Sequence, residues 1–304
     1  MKQYCHLIEY ATSIGCEYKQ HEPMSCHTTF RVGGDCDVLL MPDTVEKLID
    51  VRRFCMENEL PYYILGNGSN VVFEDAGFRG AVILTTMLNE CRLIDENHIY
   101  CDAGVKLSSM CSLALSNSLT GAEKLYGIPG TVGGAICMNA GAYGGETKMI
   151  LKTCDYLDDK NQLVTADADS LELGYRHSIF SDNDYVVLGA VFELANGNKD
   201  EIKAEMDELM QRRRDKQPLE YPSAGSVFKR PEGHFAGALI QQCGFKGNGV
   251  GGAVVSEKHA GFIVNKGGAT CEDITELVKK IQESVLEASG VKLECEIKFV
   301  GNNQ

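Results

Sequence analysis

The sequence predicts a mixed α/β fold with more than one domain. Strand-like and helix-like segments alternate along the chain, as they do in folds that pack helices against sheets. The chain has 304 residues, of which 44% are apolar, and a chain of this length usually forms about two domains of roughly 150 residues. Glycine is abundant at 32 residues and proline is scarce at 7. That balance favours tight turns and close backbone approaches over disordered linkers.

The first part of the chain, residues 1–85, has the pattern of a small α/β block. Apolar runs predict strands at 37–41, 61–65 and 81–84. A helix is expected from about Thr44, since apolar residues follow at helical spacing: Val45, Leu48, Val51 and Cys55. Asp43 and Glu46 resemble a capping box that would fix the start of this helix.

The rest of the chain predicts two further parts, residues 86–197 and 198–304. The second part has short strands near 98–101, 153–157 and 185–194, and a helix near 107–118. The third part begins with an amphipathic helix that carries Ile202, Met206, Leu209 and Met210. A later helix starts at about Thr270, with a buried stripe of Ile274, Leu277, Val278, Ile281 and Val285. A final strand is predicted at 292–300.

Charge and cysteine content exclude several classes of protein. The formal net charge of −14 argues against nucleic-acid binding, which needs a basic face. The 13 cysteines include no CxxC pair, so neither a disulfide framework nor a zinc site is predicted. We expect reduced thiols in a cytoplasmic protein, with no signal peptide, no membrane span and no metal. The basic run Arg212–Arg214 fits either the solvated end of a helix or an anion-binding corner.

A glycine-rich loop follows the strand at 61–65. It comprises Gly66, Asn67, Gly68, Ser69 and Asn70. Glycine lets a backbone approach a pyrophosphate closely, and Ser and Asn side chains add hydrogen-bond donors. The loop lacks the third glycine of the Rossmann fingerprint. By itself it also fits a structural turn.

A second glycine-rich stretch spans residues 127–145. Its density of glycine indicates a backbone wrapped against a ligand, because glycine is unfavourable inside regular elements by roughly 0.5–1 kcal/mol relative to alanine. Together the two loops favour a dinucleotide. The candidate cofactor-binding residues of this stretch are Gly127, Gly130, Thr131, Gly133, Gly134, Asn139, Gly141 and Ala142. No phosphate-binding loop of the Gly-Lys-Ser/Thr type is present, which argues against that class of ATPase or kinase.

Polar residues downstream are candidates for chemistry, each with a structural alternative. Arg176 offers a guanidinium fork for a carboxylate, or an ordinary surface salt bridge. Ser226 presents a hydroxyl near a strand start, outside any nucleophile elbow, and a lone serine is usually structural. Lys229 lies close enough in sequence to help hold a diphosphate. Glu294 and Glu296 share one face of the last predicted strand, where they are either solvated or catalytic.

Taken together, these motifs resemble the UDP-N-acetylenolpyruvoylglucosamine reductases of bacterial cell-wall synthesis. The matching stretches follow the family's order over nearly the whole chain: 28–34, 65–70, 127–145, 174–180, 225–231, 258–265 and 293–297. The resemblance implies a vanillyl-alcohol-oxidase-like fold with two FAD-binding subdomains, residues 1–85 and 86–197, and a C-terminal α/β substrate domain, residues 198–304. The short third domain leaves no room for an extra loop that bears a tyrosine, as in the compact second type of the family.

The resemblance also implies a reaction and a set of roles. The family transfers a hydride from NADPH to non-covalent FAD and then to the enolpyruvyl group of the sugar nucleotide, which gives UDP-N-acetylmuramate. Arg176 and Glu296 match active-site residues that act around the enolic intermediate, and Ser226 matches the proton donor. Lys229 and Tyr175 would bind substrate. The family often has Asn where Arg230 stands and Pro where Cys295 stands, so substrate contacts near these two positions are expected to differ.

Two alternatives remain at this point. One is another flavin enzyme of the same fold, many of which attach FAD covalently through His or Cys. The other is a non-catalytic protein that binds a flavin or a nucleotide sugar. The joint presence of Arg176, Ser226 and Glu296 argues against the second. The partner expected from sequence is a small sugar nucleotide, with no obligate protein partner and no nucleic acid.

Overall fold

The computed structural model describes residues 2–302, and side chains from residue 4. Met1, Asn303 and Gln304, the outer ends of the first and third predicted domains, lie outside the described residues. Contacts group the chain into two units. Unit 1 consists of the residues up to Gln20, Val38–Asn67 and Gly80–Arg212, and unit 2 of His21–Asp37, Gly68–Arg79 and the residues from Arg213 onward.

Among residues 2–302, four of the eight α-helices lie where helical spacing predicts a helix, and the sequence predicts no helix for the other four. The α-helices are α1 (Lys2–Ser13), α2 (Val45–Glu57), α3 (Leu107–Ser116), α4 (Val132–Cys137), α5 (Ile179–Asp182), α6 (Lys199–Lys216), α7 (Ala236–Gln242) and α8 (Cys271–Ser289). Short 3-10 helices span Met24–Cys26, Thr85–Met87, Glu123–Leu125, Thr147–Met149 and Ala168–Leu171.

The strands are short and numerous. They are β1 (Glu17–Pro23), β2 (Asp35–Met41), β3 (Tyr62–Leu65), β4 (Val71–Phe73), β5 (Phe78–Leu84), β6 (Cys91–Leu93), β7 (His98–Asp102), β8 (Leu119–Thr120), β9 (Gly141–Ala142), β10 (Gly145–Glu146), β11 (Leu151–Leu157), β12 (Leu163–Asp167), β13 (Val186–Glu193), β14 (Ala195–Asn196), β15 (Gly249–Val250), β16 (Ala253–Val255), β17 (Ile263–Asn265) and β18 (Lys298–Val300).

Unit 1 contains most of two larger sheets. One has the strand order β1–β2–β5–β3, with β3 parallel to β5. The other has the order β12–β11–β13–β7–β6, and its neighbouring strands run antiparallel. Apolar side chains of α3 and α4 pack with those of β7 and β13 in the core of this second sheet.

The start of α2 corrects one sequence prediction. The cap is Thr44, whose Oγ1 accepts a hydrogen bond from Lys47 N at 3.2 Å. Asp43 instead forms an ion pair with the Lys47 ammonium at 2.7 Å. The predicted capping box of Asp43 and Glu46 is therefore wrong by one residue, because a threonine hydroxyl at the next position reaches the free backbone N–H.

Unit 2 has a core of its own. The three-stranded sheet β15–β16–β17 packs with α7 and α8, and the buried side chains of α8 include the five predicted from sequence. The predicted strand 292–300 is too long, since only β18 is regular, parallel to β4. The chain changes partner at this point: Glu296 N donates to Val227 O, and Lys298 N donates to Asn70 O. One continuous ladder therefore does not form.

Each of the three predicted domains contains one of the larger sheets, but the first two sheets fall mostly in one contact unit. The three-domain division accordingly stays a prediction. Across residues 2–302, no helix is both long and apolar enough to cross a membrane. All thirteen cysteines are free thiols.

Candidate functional site

The first glycine loop begins where β3 ends, and its first two residues meet the second glycine stretch in unit 1. Asn67 Nδ2 donates to Pro129 O at 2.6 Å. A Cβ atom at Gly66 would lie 2.5 Å from Thr131 Oγ1. Any larger residue at Gly66 would therefore press on Thr131. The structure thus brings together two loops that are more than sixty residues apart in sequence.

Thr131 is a buried residue with an unsatisfied hydroxyl. It is 1% exposed, and its Oγ1 has no hydrogen-bond partner among the residues that the structure describes. Its flanking backbone is fixed, since Val132 N donates to Val105 O and Gly133 N donates to Ala103 O, both at 2.8 Å. A buried hydroxyl without a partner costs about 1–3 kcal/mol. A bound polar group beside Gly66 would remove that cost.

The unsatisfied hydroxyl of Thr131 is the feature that a dinucleotide cofactor would explain. The wall beside it is a glycine backbone without a side chain, which permits close approach of a phosphate or ribose oxygen. The residues present therefore fit the cofactor that the sequence predicts.

The other predicted cofactor residues of the second glycine-rich stretch lie in turns, in α4 and in β9. Gly127 lies in the turn that Ile128 N closes by donating to Leu125 O. Gly130 O accepts from Leu107 N at 3.1 Å. Gly133 and Gly134 belong to α4, and Gly141 with Ala142 forms β9. Their role at a cofactor stays a prediction.

Asn139 has a completely buried side chain that bonds within the protein. Its Nδ2 donates to Gly174 O at 2.9 Å and to Glu146 Oε2 at 3.1 Å, and its Oδ1 accepts from Lys148 N at 3.0 Å. Its backbone is left-handed, with φ of 39°. The side chain therefore braces the turn that begins at Gly174. Contact with a cofactor stays a prediction for this residue.

Arg176 lies in that turn, which is closed by a two-residue β-bridge between Gly174 and His177. Arg176 has φ of 54°, a conformation that a non-glycine residue adopts at a cost and that recurs at functional sites. Its guanidinium lies 5.1 Å from the centre of the Tyr175 ring, and its Nη2 donates to Gly141 O at 3.2 Å. Tyr175 is 50% exposed. The turn thus holds a cation and an aromatic ring side by side.

The second half of the first glycine loop belongs to unit 2. Gly68 has φ of 60°, and a Cβ atom there would lie 2.1 Å from His27 O, so only glycine fits. Thr29 N donates to Gly68 O at 3.0 Å, and Thr29 Oγ1 donates to Ser223 O at 2.7 Å. Thr29 therefore joins this loop to the segment that leads to Ser226.

Ser226 lies in an extended segment between two others. On one side, Ser226 forms a β-bridge with Phe262. On the other side, Phe228 bridges Cys295, and Glu296 N donates to Val227 O at 2.8 Å. Antiparallel pairing therefore places the backbones of Ser226 and Glu296 on adjacent segments, one residue out of register.

Asn70 connects the first glycine loop to the same place. Its Nδ2 donates to Glu296 O at 3.1 Å, and its own carbonyl accepts from Lys298 N at 2.9 Å. The backbone of Glu296 is thus bound from both sides. Ser69, which precedes Asn70 in sequence, is half-buried. Within unit 2, the structure brings together Asn70, Ser226 and Glu296.

Lys229 pairs with the other glutamate of the final segment. Its Nζ lies 3.2 Å from Glu294 Oε1, and its backbone N donates to Glu294 O at 2.9 Å. Arg230 stacks on the exposed ring of Phe235 at 4.1 Å. Cationic side chains therefore follow Ser226 closely, as a site for an anionic substrate requires.

The basic run at the end of α6 matches neither sequence interpretation in full. Arg213 is 8% exposed, so it does not lie in solvent. Arg212 lies 4.8 Å from the centre of the Tyr143 ring and lines an open pocket of about 390 Å³ with Lys124, Glu205 and Glu208. Two of these neighbours are acidic, so the pocket is a poor anion site.

A half-buried histidine supports the segment beside Ser226. His259 Nδ1 accepts from Gly261 N at 3.1 Å, and its ring lies edge-on to Phe262 at 5.0 Å. Burial lowers the pKa of His259 below its usual value of 6.5, and the charge of Lys246 acts in the same direction. The neutral ring therefore keeps Gly261 in position. No group of three or more His, Cys, Asp or Glu suited to a metal occurs within residues 2–302.

Two contributors to the site received no role from sequence. One is Thr29, and the other is the pairing of Gly261–Phe262 with Ser226–Val227, in which Val227 N donates to Gly261 O. Both lie in stretches that carry the family resemblance, at 28–34 and 258–265. The family resemblance was the sequence feature that could have pointed to these residues. A single threonine or a short extended pair has no sequence pattern that predicts such a role.

Both halves of the chain match known protein families. Residues 36–173 match a family described as FAD binding domain, and residues 217–300 match the family UDP-N-acetylenolpyruvoylglucosamine reductase, C-terminal domain. A UDP-N-acetylenolpyruvoylglucosamine reductase of Clostridium novyi (strain NT) is 46% identical over 94% of this chain and 92% of its own length. A reductase of the same name from Clostridium botulinum (strain Eklund 17B / Type B) is 46% identical over 94% of each chain.

Solved structures agree with this assignment. The crystal structure of UDP-N-acetylenolpyruvylglucosamine reductase from Thermus caldophilus matches with a TM-score of 0.79 and 34% identity, over 93% of this chain and 98% of that one. An alkyldihydroxyacetonephosphate synthase matches with a TM-score of 0.50 and 12% identity, over 64% of this chain and 40% of that one. At that identity, the second likeness concerns the fold alone.

Proposed function

Because the chain belongs to the family of UDP-N-acetylenolpyruvoylglucosamine reductases, we propose that Arg176, Ser226 and Glu296 carry out its reaction. The protein is an FAD-containing reductase of peptidoglycan precursor synthesis that converts UDP-N-acetylenolpyruvoylglucosamine to UDP-N-acetylmuramate, with NADPH as co-substrate. It has the FAD-binding fold and C-terminal domain of that family.

The cofactor, when bound, supplies the acceptance and donation of hydride. In the protein, the Thr131 hydroxyl would donate a hydrogen bond to a phosphate or ribose oxygen. Gly66 has no side chain that would block this oxygen. Asn67 holds the first loop to Pro129 through its side chain. These contacts support non-covalent binding, since they need only hydrogen bonds and close backbone approach.

Arg176 would stabilise the charge that grows on the substrate carboxylate. A guanidinium presents two parallel N–H donors to a carboxylate, and such charge-assisted bonds are roughly twice as strong as neutral ones. The strained turn and the Tyr175 ring hold this side chain in place before substrate arrives. Tyr175 would bind the same substrate through its exposed ring.

Ser226 would donate the proton that completes the reduction, at the carbon next to the carboxylate. A hydroxyl is a weak acid, so it needs neighbours that support loss of the proton. The observation that carries this assignment is the bond from Glu296 N to Val227 O, which ties the glutamate to the serine's own segment. Lys229 would leave Glu294 and bind the diphosphate of the substrate.

We further propose that the protein acts in the cytoplasm without an obligate protein partner. Thirteen free thiols support a reducing compartment. The net charge of −14 supports the absence of nucleic-acid partners. The substrate is a small sugar nucleotide, and both candidate catalytic segments come from a single chain.

The test uses the absorbance of the purified protein. We expect flavin bands that bleach anaerobically with NADPH and return when UDP-N-acetylenolpyruvoylglucosamine is added, with flavin released on acid precipitation. Flavin that stays with the precipitate would indicate a covalently flavinylated enzyme of the same fold. Flavin that bleaches but does not recover with substrate would contradict the assigned substrate.

A further inference from the structure

Two cysteines face each other across the hairpin of β6 and β7. Cys91 and Cys101 are directly opposed in the antiparallel register, and their Sγ atoms are 3.3 Å apart. Both residues belong to unit 1. We propose that Cys91 and Cys101 form a reversible disulfide by exchange with a low-molecular-weight disulfide, and that this pair is an oxidative modification site of the protein.

The position within the ladder suits such a bond. Asp102 N donates to Glu90 O, and Ile94 N donates to His98 O. The residue pairs between these two bonds therefore alternate between non-hydrogen-bonded and hydrogen-bonded pairs. Cys91 and Cys101 therefore form a non-hydrogen-bonded pair, in which Cα atoms lie about 4.5 Å apart and side chains are closest. That separation lies inside the range of about 4.4–6.8 Å seen in disulfides. Oxidation thus needs no change of register.

The pair is also reachable from outside and asymmetric. β6 is the edge strand of its sheet, and Cys91 is half-buried, whereas Cys101 is completely buried. A hydrogen bond from the Cys101 thiol lowers the pKa of Cys91, and the same bond together with burial raises the pKa of Cys101. The more exposed of the two cysteines is therefore the one that forms a thiolate more readily, and the thiolate is the reactive species.

The exchange balances in two steps. The Cys91 thiolate attacks one sulfur of the external disulfide, which releases one thiolate and leaves a mixed disulfide on Cys91. The Cys101 thiol then gives up its proton and attacks the Cys91 sulfur, which releases the second thiol and closes the internal bond. The external disulfide is reduced by two electrons to two thiols, and the cysteine pair is oxidised by the same two electrons.

The location ties the hairpin to the second glycine stretch. β7 leads directly into Ala103, whose carbonyl accepts the N–H of Gly133 at 2.8 Å. The modification would therefore fix the edge strand to the strand that supports this stretch. The inference does not rest on the proposed function, since it depends only on the geometry of the hairpin.

The sequence allows a direct test by peptide mapping. Trypsin cleaves after Arg79, Arg92 and Lys106, which places Cys91 in Gly80–Arg92 and Cys101 in Leu93–Lys106, each as the single cysteine of its peptide. The reduced flavin-loaded protein would be incubated with glutathione disulfide, blocked with N-ethylmaleimide and digested without reductant. We expect these two peptides to appear linked, lighter by two hydrogen atoms than their sum, and to separate with dithiothreitol.

Variants fix the order of the steps. Cys101→Ser should stop at Cys91 carrying glutathione, and Cys26→Ser, an exposed cysteine of unit 2, should leave the linked peptide unchanged. If Cys101→Ser does not fold, the mapping of the unchanged protein still decides. A stable glutathione adduct on Cys91 in the unchanged protein, a link from Cys101 to Cys111, or two unlinked cysteines would each overturn the proposal.

Discussion

The glycine loops of unit 1 and the Ser226 segment of unit 2 are built on different principles. In unit 1, the candidate cofactor site is made largely by glycine backbone, and its clearest mark is one buried hydroxyl with no partner among the described residues, that of Thr131. In unit 2, the candidate chemical groups come from extended segments that pair edge to edge, around Ser226, Phe262 and Glu296. A site built from glycine backbone therefore leaves a local sequence pattern, whereas a site built from side chains on paired segments does not.

The largest effect should come from removing the proton donor in unit 2. Ser226→Ala should leave bleaching by NADPH nearly intact and slow reoxidation by substrate about 10²–10⁴-fold, the usual contribution of a general acid or base. Stopped-flow absorbance of the two half-reactions measures both. Ser112→Ala, a serine on the exposed face of α3, is the matched control. Normal reoxidation in Ser226→Ala would remove the serine from its role.

Asn139 tests whether unit 1 also contributes through a side chain. Asn139→Ala removes one donor to Gly174 O and the acceptor of Lys148 N, and each hydrogen bond lost costs about 0.5–1.5 kcal/mol. We expect lower stability in chemical denaturation and slower reoxidation, because the turn that carries Arg176 loses its brace. Asn117→Ala, which loses one exposed bond at the end of α3, serves as control. Unchanged reoxidation would show that Arg176 holds its position without Asn139.

Thr131 tests the cofactor side of the comparison. Thr131→Val keeps the shape and removes the hydroxyl, so FAD should bind about 10–100-fold more weakly if the hydroxyl meets a phosphate, a bond worth about 1.5–3 kcal/mol. The flavin-free protein should be as stable as before, or more so, since the unsatisfied group is gone. Flavin fluorescence titration and thermal unfolding measure the two effects.

A matched variant in the same unit sharpens this test. Thr147 is equally buried, but its Oγ1 donates to Ala140 O at 2.9 Å. Thr147→Val should therefore lower stability and leave FAD affinity unchanged. If Thr131→Val behaved in the same way, the hydroxyl would have no part in cofactor binding.

The smallest effect concerns pH and the support of the Ser226 segment. The folded-state pKa of His259 is lowered, so below its ordinary value of 6.5 the unfolded chain binds the proton more readily than the folded one. The contribution to stability is therefore present above pH 6.5 and is lost as pH falls through the lower, folded pKa. His259→Asn should flatten this dependence in denaturant unfolding. An unchanged pH profile would exclude His259 as its source.

Much of the fold could be read from periodicity. Five of the six buried residues of α8 follow directly from helical spacing, and the strands at 37–41, 61–65 and 81–84 fall within β2, β3 and β5 save for an end residue. The cap of α2 and the length of the last strand could not be read in this way. A hydroxyl one residue further on competes for the cap, and a change of pairing partner interrupts the strand.

Sequence patterns identified the candidate residues: the glycines of two loops, and Arg176, Ser226 and Glu296 with their family resemblance. How these residues meet within each unit followed from the three-dimensional structure. It set Thr131 against Gly66 and left that hydroxyl without a partner, used Asn139 to brace a turn, and bound Glu296 beside Val227. The reason is physical: glycine spacing and apolar periodicity are local properties of a chain, whereas satisfaction of a buried hydrogen bond depends on which distant backbone lies opposite.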